Sequence, residues 1–199
     1  MQNLTLSTRM LTCMLLLLWV ACSPREKKEA TDLRPWLQQG DSLRELSQKT
    51  LMNALLKAGA DSVPEQAVAF CHEEAAGILS NLTDTQHIKI QRVAEKFRNP
   101  NNALQPEDLT VWDTWKKQLA QGQSLGSEVE INTNNHKVYR APIFLGMPLC
   151  ERCHGDENTF SPELQKTLAR LYPNDKARNF RQGDLRGMWK ITFLNLTGP

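Results

Sequence analysis

A chain of 199 residues that is 40% hydrophobic and 23% charged is long enough for one domain and a short tether, and its composition is that of a globular protein. It excludes a disordered chain, a collagen and a multi-span membrane protein. The formal charge is only +2, and the sole basic run is Arg25-Glu26-Lys27-Lys28, so there is no electrostatic case for nucleic-acid binding.

The N-terminus reads as an export signal. Arg9 supplies the positive charge, and the apolar run from Met10 to Ala21 is about a dozen residues, short of the ~20 that a membrane span needs. The run closes on Ala21-Cys22, which resembles the lipobox of bacterial lipoproteins, with Trp19 where a Leu is usual. The ordinary alternative is a signal cut nearby. On the lipoprotein reading, residues 1–21 are the signal peptide, Cys22 is acylated, and 22–41 form the anchored N-terminus and a flexible, charged tether. Ser23 rather than Asp follows Cys22, which favours the periplasmic side of the outer membrane.

The domain then occupies residues 42–199. Asp41 or Ser42 is predicted to cap a helix carrying Leu43, Leu46, Leu51, Ala54 and Leu55 and ending at Gly59. Ser62-Val63-Pro64-Glu65 has capping-box spacing and opens a second helix through Ala67, Cys71, Ala75 and Ile78. His87 to Val93 alternates as a strand does, and Arg98-Asn99-Pro100-Asn101-Asn102 is a turn. Pro106-Glu107 starts a helix with Leu109, Trp112, Trp115 and Leu119, closed by Gly122. Val129–Ile131 and Lys137–Phe144 pair across the turn Asn132-Thr133-Asn134-Asn135. Ser161-Pro162-Glu163 starts a helix to Leu171, and Met188 to Phe193 reads as an edge or closing strand. The fold class is α+β: a small antiparallel sheet flanked by helices.

The chemistry is concentrated in Cys150-Glu151-Arg152-Cys153-His154, since C-x-x-C-H is the attachment sequence for c-type haem. The two thiols would add to the porphyrin vinyl groups, and His154 would bind the iron. A zinc site wants a second Cys or His pair at ligand spacing, and none is present. A disulfide across so small a loop is strained. A thioredoxin-type pair opens a helix after a strand, whereas here Pro148 precedes the motif and Gly155 follows it.

There are 5 cysteines. Cys13 leaves with the signal, Cys22 takes lipid, Cys150 and Cys153 take haem, and Cys71 is left over in an oxidising compartment. Ala67 and Ala75 lie one turn either side of Cys71 on its helix face and open that face to a flat macrocycle. His72, about 100° round the same helix, is the rival iron ligand, and spacing alone does not choose between them. Met147 and Met188 are weaker candidates, and His87 and His136 read as solvated.

In order along the chain, Ala67-Val68-Ala69-Phe70-Cys71, the Arg98–Asn102 turn, Tyr139-Arg140-Ala141-Pro142-Ile143, Cys150–Gly155, Tyr172-Pro173-Asn174-Asp175-Lys176-Ala177 and Gly183-Asp184-Leu185-Arg186-Gly187-Met188-Trp189 match a known pattern. It resembles the single-haem c-type domain family with a PAS-like fold, whose members stand alone as small cytochromes or serve as periplasmic sensors of histidine kinases. The resemblance spans Leu43 to Phe193 and implies one covalent haem c with His154 and Cys71 as axial ligands. Two departures are Phe180, where a Tyr is frequent, and Thr85 to Lys96, which lacks a Gly-Arg-Thr-Ser pattern although Arg92 supplies a positive charge. Arg98 and Arg186 are candidates to pair with haem propionates. The competing reading has them fix the neighbouring turns. Two functions follow as expectations: single-electron transfer with a redox partner protein, or a haem-based redox or gas sensor acting through a separate partner. No transmitter helix follows the last motif, which favours the first, or a sensor with a separate output. An enzyme, which needs an open iron position, is not expected.

Overall fold

The structure, a computed structural model, describes residues 31–83 and 87–194. The expected signal peptide, Cys13 and Cys22 lie outside the described residues. The compact unit that carries the motifs begins at Leu33.

The elements in order are α1 (Arg34–Lys57), α2 (Pro64–Ser80), β1 (Ile88–Val93), α3 (Pro106–Ala120), β2 (Glu128–Ile131), β3 (Lys137–Phe144), α4 (Pro148–His154), α5 (Pro162–Leu171) and β4 (Leu185–Phe193). The strands form one antiparallel sheet in the order β1-β4-β3-β2. Alternation sends Ile90, Tyr139, Ala141, Trp189, Ile191 and Phe193 to one face, where Trp36 and Leu51 of α1 and Leu79 of α2 cover them. Val93 and Met188 point to the other face, against Trp112 and Trp115 of α3. The expected α+β class, a small antiparallel sheet flanked by helices, is what the chain adopts.

Three local expectations are corrected. The first helix begins at Arg34, so residues 34–41, counted with the tether in the sequence, are its first two turns. Pro35 sits in its first turn, and Trp36 anchors it against Phe193 with ring centroids 5.0 Å apart. Asp41 and Ser42 are inside the helix: Asp41 accepts the Tyr139 hydroxyl at 2.7 Å, and Ser42 Oγ donates back to Gln38 O. Gly40 is where α1 crosses β3, because a Cβ there would stand 2.2 Å from the Tyr139 ring. The second helix has no capping box either; Val63 precedes it without a side-chain bond, Ser62 Oγ donates to Asp61, and Pro64 makes the start. Finally, β4 is an interior strand with β1 on one side and β3 on the other, which explains why Gly187 to Phe193 are all buried.

The remaining elements match. Ser161 Oγ accepts from Leu164 N at the start of α5. In the β2–β3 hairpin Asn132 accepts from Asn134 N and His136 N, and Asn135 takes φ 61°. A buried charge network also lies under α3: Asp108 accepts from Arg140 at 3.1 Å and from Lys190 at 2.9 Å.

Candidate functional site

The C-x-x-C-H segment is the short helix α4, which follows β3, so the expectation that the motif stands outside a strand-to-helix context is wrong. Pro148 begins α4, and Gly155 closes it by donating its N–H to Glu151 O at 2.7 Å. A Cβ on residue 155 would fall 2.5 Å from that same oxygen, so the closure needs glycine. Placement in a helix no longer argues against a thioredoxin-type pair; the side chains do. Cys150 packs against Leu145, Ala177 and Phe180, while Cys153 packs against the separate cluster of Val68, Phe160, Leu164, Leu168 and Tyr172. Both are free thiols, and burial pushes the Cys153 thiol up, opposite to the depressed pKa of a redox nucleophile.

His154 ends α4 with its ring fixed. Nδ1–H donates to the carbonyl of Ala177 at 2.8 Å, which leaves the Nε2 lone pair as the reactive nitrogen. Burial, with the charges of Arg98 and Arg186 added, holds its pKa well below the ordinary histidine value, so the imidazole is neutral near pH 7.

Ala177 is held in turn by Asp175. That carboxylate, its side chain fully buried, accepts from Ala177 N at 2.9 Å, Arg98 Nε at 3.2 Å and Arg178 Nε at 3.0 Å. Burial works against the Asp175 carboxylate, but Arg98 and these hydrogen bonds outweigh it and keep it below the usual carboxylate range. Arg98 also donates to Cys153 O at 2.5 Å and to Ala177 O at 3.2 Å. Its guanidinium therefore clasps both ends of the motif's surroundings. Asp175 was legible as part of a motif, and its acceptor role was not. An Asp three residues before Arg178 and two before Ala177 was the available signal.

Arg186 is placed differently. Nη1 donates to Lys96 O at 3.0 Å and the guanidinium lies over Phe180 at 5.1 Å, but the buried Nε has no partner. Burial first, then Arg98 and Arg92, lower its pKa to about 10.

Across from α4, Cys71 is half-buried on α2 and free. Burial raises its pKa, while Arg92 and Arg98 oppose the rise. Cys71 acts electrostatically on Cys153 and Arg98 acts on both, so the leftover thiol and the motif belong to one neighbourhood. His72 is exposed, with its ring edge-on to Tyr172 at 5.0 Å. Met188 is fully buried in the α3 cluster, Met147 and His87 are exposed, and His136 is at the hairpin. A cleft of about 600 Å³ opens beside α4 between Pro64, Glu151, Arg152 and Phe160, and none of the three thiols lines it. Among the described residues no group of three or more Cys, His, Asp or Glu forms a protein-only metal cage, and no helix is long and apolar enough to cross a membrane.

No curated protein matches the chain. Among solved structures it is similar to the crystal structure of the cyanobacterial haem protein Tll0287, at 21% identity and a TM-score of 0.59, over 82% of this chain and 98% of that one. At that identity the likeness speaks for the fold. The family model of Tll0287-like proteins matches residues 26–193, a span that contains every motif from Cys71 to Trp189, and the chain belongs to the Tll0287-like family.

Proposed function

We propose that this chain is a monohaem c-type cytochrome of PAS-like fold that carries single electrons. Cys150 and Cys153 hold the haem covalently, and His154 and Cys71 are its axial ligands. The observation that carries the reading is the C-x-x-C-H helix whose histidine gives Nδ1–H to Ala177 O and keeps Nε2 free. The surroundings fit such a group. The two thiols face two separate apolar clusters, as attachment at two edges of a macrocycle requires. The orphaned Nε of Arg186 lies among cations that call for an anionic partner, and a haem carboxylate is one. Arg98 already has acceptors in Asp175, Cys153 O and Ala177 O, so it serves the haem mainly by tying down the loop that orients His154.

The haem, when bound, supplies a one-electron couple at iron. The chain's own residues set its terms. Neutral His154 is a nitrogen donor, and the Ala177 hydrogen bond raises its basicity. Cys71 donates through sulfur, which favours ferric iron and a low potential. With His154 and Cys71 both as donors, the chain's own side chains would hold the iron from two sides, which would suit a carrier rather than an enzyme. We further propose acylation at Cys22 and an address on the periplasmic side of the outer membrane, supported by the Ala21-Cys22 sequence and the Ser that follows.

A second reading, a redox or diatomic-gas sensor working through a partner protein, is favoured by one feature. Cys71 borders a cavity of about 50 Å³ walled largely by Leu51, Met52, Leu55 and Phe70, with room for a departing sulfur or a diatomic ligand. Ready CO binding by the ferrous protein combined with slow exchange with periplasmic cytochromes selects the sensor; fast exchange and no CO complex select the carrier.

Acid–acetone extraction tests the attachment. Haem stays with the wild-type protein and is extracted from, or absent in, the Cys150→Ala/Cys153→Ala variant. Extraction from the wild type overturns the assignment. Labelled palmitate enters the full-length protein and not Cys22→Ala, and equal labelling of the two refutes the anchor.

A further inference from the structure

Arg92 stands out from the carboxylate-paired cations of the molecule. It lies on β1, and its register partner on β4 is Trp189, whose ring centroid is 5.8 Å from the guanidinium carbon. Arg98 and Arg178 have Asp175, and Arg140 and Lys190 have Asp108. Arg92 makes no hydrogen bond and no ion pair to a described residue. It lines the cavity of about 50 Å³ beside α2, whose wall is otherwise Gln48, Leu51, Met52, Leu55, Phe70, Ala75 and the thiol of Cys71. Of the groups on that wall, which include the Gln48 amide and the Met52 thioether, the Cys71 thiol is the only one that can become an anion, so it is the counter-group the wall offers the cation.

We propose that Arg92 is the positioning residue for Cys71: its guanidinium is the counter-cation that holds the Cys71 sulfur in place on the cavity wall, where it would serve as the iron ligand. This rests on the Cys71 ligation proposed above. Geometry supports it: both side chains line the same small cavity, and Arg92 is paired with no described carboxylate. The side chain acts through the sulfur and is assigned no contact with the iron. Its stem and its stacking on Trp189 hold the charge in place, so the position is set by the strand register rather than by a flexible loop. Charge is the operative property, so Lys is expected to substitute and Gln is not.

The test uses the haem-loaded protein and two readouts apart from electron transfer. One is the sulfur-to-iron charge-transfer absorption of the ferric form; the other is the rate at which Cys71 is alkylated by a maleimide. In the wild type the band is present and alkylation is slow. Arg92→Gln lowers the band at least twofold and speeds alkylation about tenfold or more, while Arg92→Lys stays close to wild type on both. Wild-type behaviour of Arg92→Gln overturns the proposal, and is the outcome expected if Arg92 served only a haem carboxylate. An Arg92→Lys protein that behaves like Arg92→Gln also overturns it, because shape rather than charge would then be at work. Failure of the underlying ligation looks different: Cys71 is alkylated rapidly in the wild type itself, and no charge-transfer band is present to lose.

Discussion

Replacing Asp175 with Asn keeps the size of the side chain and one carbonyl acceptor but removes the charge that binds Arg98 and Arg178. Both arginines are tied to it at 3.0–3.2 Å, and the carboxylate is completely buried. Breaking a fully buried pair costs about 3–5 kcal/mol. Two features reduce that here. Arg98 retains the carbonyls of Cys153 and Ala177, and Arg178, which is 26% exposed, retains Glu157. The expected loss is therefore about 2–3 kcal/mol, or about 5–10 °C in Tm for a domain of this size. The pH dependence has a definite sign. A carboxylate held below its ordinary value of about 3.9 contributes stability above that value and loses it as pH falls through the folded-state value. Denaturant unfolding of the haem-loaded wild type and Asp175→Asn should thus differ fully at pH 7, with the gap closing below about pH 4. A deficit under about 0.5 kcal/mol at pH 7, or one that persists unchanged at the acid end, refutes the role given to Asp175.

Gly40→Val should lift α1 from the sheet, because the Tyr139 ring that a Cβ would meet at 2.2 Å is itself tied to Asp41; a loss of at least about 2–3 kcal/mol in thermal unfolding is expected, and a neutral result contradicts the crossing. Asp108→Ala leaves Arg140, 1% exposed, with Glu130 and Lys190, 9% exposed, with Glu107 as their remaining carboxylates and should cost about 2–4 kcal/mol in denaturant unfolding, whereas the triple variant Asp108→Leu/Arg140→Met/Lys190→Met, which removes the three buried charges together, should cost markedly less. Gly155→Ala should displace the end of α4 and reduce the haem-to-protein ratio with the rest of the fold retained; a full complement of haem would show that the closure at Glu151 O is dispensable.

The elements were legible in the sequence wherever local rules decide them. Ser161 before Pro162, the asparagine-rich hairpin and Pro106 with Gly122 all appear where turn and cap chemistry put them. The errors came from tertiary contacts. Asp41 looks like a cap, but it is spent on the Tyr139 hydroxyl, 98 residues away in sequence, and the helix is instead set by Trp36 and Gly40 docking on the sheet. The place of β4 in the middle of the sheet is likewise a matter of pairing order, which alternation within one strand does not encode. At the site, C-x-x-C-H and the leftover Cys71 could be found by spacing and by counting. The Ala177 acceptor, the acceptor role of Asp175 and the cavity that the charge of Arg92 lines could not, because each is defined by what it faces across the fold.

The ligand pair is tested most directly by the electron paramagnetic resonance spectrum of the ferric, haem-loaded protein in wild-type, Cys71→Ala and His72→Ala forms. The account predicts a low-spin signal in the wild type that persists in His72→Ala and gives way to high-spin or water-ligated haem in Cys71→Ala. Loss of the low-spin signal in His72→Ala, with Cys71→Ala unchanged, would contradict it.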